Sequence, residues 1–300
     1  MENFRLKVFR TVAKNLSFTK AANELFITQP AITKNIHALE NELGLRLFNR
    51  KGNRIYLTDE GLVLLEHTEK LFELQLKLED NLNSFKENPT GFFRLGASST
   101  IAQYVIPPVL SKFHKKFHEV QLSLLTGNTE QIADSLLKGE IDLGIVEGKI
   151  KSRDIHYTKF ISDELVAASS TKNRLLTTND ISVDKLSSLP LVLRERGSGT
   201  LEVIEHALKS RKIKLSALNV RMYLGSTEAI KLYLEHDDCV GFVSLRALEK
   251  ELNAGSHKIV RIKNFQIKRI FHFITPHGLK PTKIASQFIK FAKEYYNQKL

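Results

Sequence analysis

The first fifty residues carry apolar side chains at helical spacing, in short blocks separated by polar links. Ile32, Ile36, Leu39 and Leu43 fall at i, i+4, i+7 and i+11, one face of a helix. The other face holds Pro30, Thr33, Lys34, His37 and Asn41. A proline inside a helix is tolerated in the first turn, where its missing N–H would have gone unpaired. Thr28 is a suitable N-cap, so the pattern predicts a helix that begins at Gln29. Just upstream, "FTKAANEL" puts Ala21, Ala22 and Leu25 on one side of a shorter helix. Small alanines let two helices approach closely, and the link "FIT" has the length of a helix-turn-helix turn. The spacing fits a DNA-reading pair whose second helix points its first residues outward. It fits an ordinary helical hairpin equally well.

Residues 1–57 read as three helices followed by a short hairpin, "FNRKGNRIYLT", with Arg50, Lys51 and Arg54 clustered at its tip. Such a tip is either a solvated turn or, beside a helix-turn-helix, a phosphate contact like that of a winged helix. Thr58 then caps a long helix with Asp59 and Glu60 in its first turn, where anions suit the dipole. The pattern runs to about Asn88, before Pro89. Leu57, Leu64, Leu71, Leu78 and Phe85 recur every seven residues. That is a coiled-coil signature, and it makes 58–89 a linker and a dimer seam at once.

From Phe92 the pattern alternates strands ("FFRLGAS", "VQLSLLTG", "IDLGIVEG") with helices, which predicts an α/β fold with a parallel sheet. A second such set follows, from "DELVAAS" to "CVGFVSL". The last strand, "KRIFHFITP", and the final helix have no place in the second set and are expected to return to the first. Two lobes joined by two crossings leave a cleft for a small ligand.

Composition narrows this little. Three hundred residues, 42% hydrophobic and 26% charged, make an ordinary globular chain of two or three domains. A net charge of +12 and a pI of 9.6 suggest a polyanionic partner without proving one. The single cysteine, Cys239, excludes an internal disulfide and a multi-cysteine zinc site. The N-terminus lacks a signal-peptide h-region and no window approaches a membrane span, so a cytoplasmic protein is expected.

The segment "FRTVAKNLSFTKAANELFITQPAITKNIHALENELGLRLFNR", followed by "LTDEG", resembles the DNA-binding signature of the LysR-type transcriptional regulators. The resemblance extends over nearly the whole chain. It implies an α/β protein: an N-terminal winged helix-turn-helix (1–57), a long linker and dimerisation helix (58–89), and an effector-binding domain (92–300). That domain would have two periplasmic-binding-protein-like lobes, 92–162 plus 266–300 and 163–265. The family's usual "SQPALS" stands here as "TQPAIT", with Lys34 where an arginine often follows. The residues matching family DNA contacts are Thr28, Gln29, Pro30, Thr33 and Lys34, with Arg50 and Arg54 near the wing. The matching ligand positions are Ser98, Ser99, Thr100 and Gln103 from one lobe, and Ser198, Gly199, Thr200, Ser226 and Thr227 from the other. Glu147 would face the same cleft and repel an anion unless paired, with Arg194 as candidate partner. "DLGIVEG" with "LVLRERGSGT" is most similar to regulators of sulfite reduction and cysteine synthesis, although Arg196 replaces that subset's proline. The implied partners are double-stranded DNA, a small anionic effector and a second copy of the chain, as a homodimer or homotetramer. RNA polymerase is a further candidate, and no membrane partner is expected.

Other chemistry has little to rest on. "GSGTLE" lacks the third glycine of a dinucleotide loop, where Glu202 stands. His114 and His118 are four apart on a helix but have no third ligand, so no metal site is expected. No hydrolase or Walker motif occurs, so no catalytic residue, cofactor or enzymatic activity is expected. Besides an effector-responsive regulator, the residues leave open a DNA-binding architectural protein whose C-terminal half only oligomerises, and an enzyme or transport-type binding protein with a fused basic domain.

Overall fold

The computed structural model describes residues 4–51, 54–83, 90–148, 152–176, 178 and 180–298. The chain forms two compact units, Met1–Leu82 and Asn83–Leu300. The first comprises α1 (Phe4–Asn15), α2 (Phe18–Glu24), α3 (Gln29–Leu43), β1 (Phe48–Lys51), β2 (Arg54–Leu57) and α4 (Asp59–Asn83). Val8, Phe9 and Val12 of α1 and Ala21 of α2 are fully buried against Ile32, Ile36 and Leu39 of α3. The apolar face of α3 stops one turn short of the sequence pattern. Leu43 is 43% exposed because the helix outruns this core, and Gly44 then ends it in the left-handed conformation at φ 67°.

The linker helix starts as predicted: the Thr58 hydroxyl accepts from the Gly61 N–H at 2.9 Å. The seam needs revision. Leu57 ends β2, and Leu57 and Leu64 both pack on the core of the DNA-binding unit. Among the described side chains of α4, Leu62, Val63, Leu71, Leu74 and Leu78 are the exposed large apolar ones. The last turn of the predicted helix and Phe85 lie outside the described residues.

The second unit contains β3 (Gly91–Ser98), α5 (Ser99–Tyr104), α6 (Pro107–Lys116), β4 (Val120–Gly127), α7 (Thr129–Leu137), β5 (Leu143–Glu147) and β6 (Ile155–Ser170). It continues with β7 (Asp180–Ile181), α8 (Val183–Leu186), β8 (Leu191–Arg194), α9 (Gly199–Ser210), β9 (Val220–Leu224), α10 (Thr227–His236) and β10 (Val240–Ser244). It ends with α11 (Leu245–Ala254), β11 (His257–Ile262), β12 (Ile267–Pro276) and α12 (Lys283–Asn297). Two parallel sets, β4-β3-β5 and β10-β8-β9, flank a central antiparallel pair, β12 and β6. The parallel expectation holds for the flanks only. Two long strands that carry the chain out and back between lobes must run in opposite directions. β12 pairs with β5 as well as β6, and α12 packs Phe288 and Ala292 on Phe93 and Phe273. A separate core gathers Leu165, Leu191, Leu193, Ile204, Phe242 and Val260.

Candidate functional site

In the first unit, the Thr28 hydroxyl accepts from the Ala31 N–H at 3.4 Å and Pro30 sits in the first turn of α3, as the sequence required. Thr28, Gln29, Pro30 and Lys34 are exposed and Thr33 is half-buried. The Thr33 hydroxyl lies 3.2 Å from both the Gln29 carbonyl and the Gln29 Nε2. The Gln29 side chain thereby folds back along α3 while staying exposed. β1 and β2 pair antiparallel with Arg50 opposite Ile55 and Lys51 opposite Arg54, which puts these basic positions together at the hairpin end. One exposed residue escaped the sequence reading. Phe26, in the turn between the two helices, is 94% exposed and has φ 56°.

In the second unit the ligand positions converge on the junction of the two cores. Ser98, Ser99 and Thr100 begin α5, Ser198, Gly199 and Thr200 begin α9, and all six are buried. Thr100 and Thr227 place their hydroxyl oxygens 3.1 Å apart. Gly199 packs so closely on the end of β5 that an added Cβ would come within 2.0 Å of the Glu147 carbonyl oxygen. The Thr129 hydroxyl fills this joint: it donates to the Glu147 carbonyl at 2.9 Å and accepts from the Gly199 N–H at 3.2 Å. The glycine of "GSGTLE" therefore serves close packing between lobes, not a nucleotide.

Glu147 is buried and paired, but not with Arg194. Its carboxylate accepts from the Ser98 hydroxyl and, at 3.0 Å, from the Thr200 hydroxyl. Arg269 lies 3.7 Å away and donates to Thr200 Oγ1 at 2.7 Å and to Asp163 at 2.7 Å. Arg194 instead makes a two-pronged pair with Glu195 at 2.8 and 2.9 Å and donates to the Gly225 carbonyl at 3.2 Å. The reason is positional: Arg194 ends β8 on the α9 and α10 side, whereas Arg269 of β12 lies on the strand paired with β5. Arg269 and Asp163 were missed. Ile267, Arg269, Phe271 and Phe273 alternate inward on β12, so an arginine at an apolar register position was the available signal.

Both arginines keep an unused N–H. Arg194 Nη1 and Arg269 Nη2 are buried without a partner, as are the hydroxyls of Ser99 and Ser198. Ser226 is half-buried and caps α10 by accepting from the Ala229 N–H at 3.1 Å. Gln103 is exposed and, among the described residues, makes no hydrogen bond to this set. Two other sequence signals dissolve. His118 lies beyond the end of α6, so it does not share a helix face with His114. Cys239 is fully buried, and burial pushes its thiol up to about 12, away from the reactive thiolate. No group of three metal-ligating side chains and no helix able to cross a membrane occurs among the described residues.

A helix-turn-helix unit followed by an α/β unit with a buried, donor-rich junction defines a ligand-linked DNA-binding protein. Comparison with known proteins gives the class its name. Residues 4–62 match the bacterial regulatory helix-turn-helix of the lysR family, and residues 86–297 match the LysR substrate binding domain. The chain belongs to the LysR family of DNA-binding transcriptional regulators and is not an enzyme. It is 33% identical over 276 residues to a probable RuBisCO transcriptional regulator of Thalassiosira pseudonana, covering 90% of each chain. It is 28% identical over 295 residues to the HTH-type transcriptional regulator CysL of Bacillus subtilis, covering 98% of each. Full-length CbnR complexed with its target DNA shares the fold at TM-score 0.71 and 21% identity, covering 98% of this chain and 99% of that one. The Synechocystis PCC6803 CcmR regulatory domain in complex with 2-PG matches at TM-score 0.62 and 27% identity, over 69% of this chain and 97% of that domain.

Proposed function

We propose that this regulator reads operator DNA through Gln29, Thr33 and Lys34, with Arg50 and Arg54 on flanking phosphates, and that a small anion in the cleft controls it. The carrying observation is the set of unused donors at the lobe junction: Arg194 Nη1, Arg269 Nη2 and the Ser99 and Ser198 hydroxyls. Buried donors without acceptors cost free energy, and an anion that accepts from them recovers it. The junction joins both lobes, so such an anion favours the closed arrangement over any open one, and only such a difference can alter DNA binding. Sulfate, sulfite and a sulfur-amino-acid precursor are candidates from the sequence resemblance of "DLGIVEG" and "LVLRERGSGT" to regulators of sulfite reduction and cysteine synthesis. A phosphorylated carboxylate is the second reading, favoured by the CcmR domain's complex with 2-PG.

The test is titration calorimetry of the full-length protein with sulfate, sulfite and 2-PG, beside the Arg194→Gln variant. Charge-assisted hydrogen bonds contribute about 1.5–3 kcal/mol each, so the variant is expected to bind the active anion at least tenfold more weakly. Equal affinity in both proteins would place the anion elsewhere, and no heat from any of the three would reject this ligand class.

A further inference from the structure

A cavity of about 810 Å³ opens between the face of α9 and the strands β6 and β12. Lys159, Lys209 and Lys268 line it from three different elements, together with His206 and His272. The three lysines are exposed, and among the described residues none has an ion-pair partner. Among the described residues, the acids in the wall are Glu202 and Glu205. Glu164 stands opposite Lys268 in the strand register but accepts from Gln266 at 2.9 Å. Val203 and Ile270 supply apolar surface. Arg269 lines the same cavity, and its own charge is already matched by Asp163.

From this convergence we propose a second ligand site, distinct from the cleft, that takes a small organic anion with at least two negative charges. Three lysines without ion-pair partners against two carboxylates, Glu202 and Glu205, leave the described wall net positive, and a multivalent anion gains more from it than a singly charged one. The volume is that of an ordinary metabolite pocket. Occupancy is linked to the cleft through two shared parts. Arg269 lines the cavity and donates to Thr200 of the cleft, and Thr200 lies in the first turn of α9, which carries Lys209 about two and a half turns later. This linkage, but not the site itself, rests on the cleft reading above. By reciprocity, whatever one ligand does to the affinity of the other is returned in equal measure.

The experiment is titration calorimetry of the full-length protein with citrate, at fixed ionic strength, using acetate as the singly charged control. Four proteins are compared: wild type, Lys209→Gln/Lys268→Gln in the cavity, Arg194→Gln in the cleft, and Lys112→Gln/Lys116→Gln on α6. The expected result is citrate binding to wild type, a loss of at least tenfold in the cavity variant alone, and little binding of acetate. Three results would each overturn the proposal: no citrate binding to wild type, loss in the Arg194→Gln variant instead, or an equal loss in the α6 variant. The second would assign citrate to the cleft and the third would show a diffuse effect of net charge. Circular dichroism of each variant confirms that it is folded.

Discussion

Thr200 illustrates how a residue of the right type in the right place can have a different task. Its hydroxyl accepts from Arg269 at 2.7 Å and donates to Glu147 at 3.0 Å, so it is fully engaged before any ligand arrives. The Ser198 hydroxyl two positions earlier is buried and engaged by nothing. The two substitutions should therefore separate. Thr200→Val leaves a buried carboxylate and a buried guanidinium short of a partner, and a stranded buried polar group costs about 1–3 kcal/mol. Ser198→Ala removes an orphan donor and should leave stability nearly unchanged while weakening the anion. Thermal unfolding and calorimetry on both variants check this, and equal effects on melting temperature would show the assignment of roles to be wrong.

At the scale of the element, the linker helix shows why a period is not an interface. The seven-residue repeat is present in the sequence, yet Leu57 and Leu64 are used inside the DNA-binding unit. At about 100° per residue, Val63, Leu71, Leu74 and Leu78 fall along one side of α4, and they are 58%, 54%, 64% and 48% exposed. From this row of exposed apolar residues, on a helix tied to its unit by the Arg10–Glu69 pair at 2.8 Å, we propose a helix-to-helix dimer. Leu74→Glu tests it cleanly, because the site is already exposed in the single chain and a charge there costs the monomer little. We expect a lower mass by light scattering at low micromolar concentration and a weaker operator complex. An unchanged mass would move the main interface to another surface.

At the scale of the whole effector unit, the close contact between β5 and α9 depends on the absence of a side chain. Gly199 leaves no room for a Cβ beneath the Glu147 carbonyl, and Gly197, at φ 80°, passes beside Glu130. Gly199→Ala should force the β5–α9 joint apart, separate Thr200 from Glu147 and destabilise the unit by about 1–3 kcal/mol, as overpacking does. Its signature is loss of the ligand-induced rise in melting temperature while DNA binding by the first unit persists. A full thermal response in the variant would show that closure does not need this contact.

The sequence by itself determined the local devices: the Thr28 cap with Pro30 behind it, the basic hairpin, the Thr58 cap, and the Ser/Thr-rich helix starts. Each is set by a few neighbouring residues, so a short window contains its physical cause. Which apolar residues of the linker helix stay exposed was legible only in part, because periodicity marks apolar positions without saying which are consumed by the unit's own core. Tertiary structure alone decided the partners of the buried charges. Glu147 lies 122 positions from Arg269, the difference of their numbers, and only the pairing of β5 with β12 brings them within 3.7 Å. The antiparallel course of β6 and β12 was equally hidden, since strand direction follows from where the chain must return, and no local pattern of apolar residues encodes it.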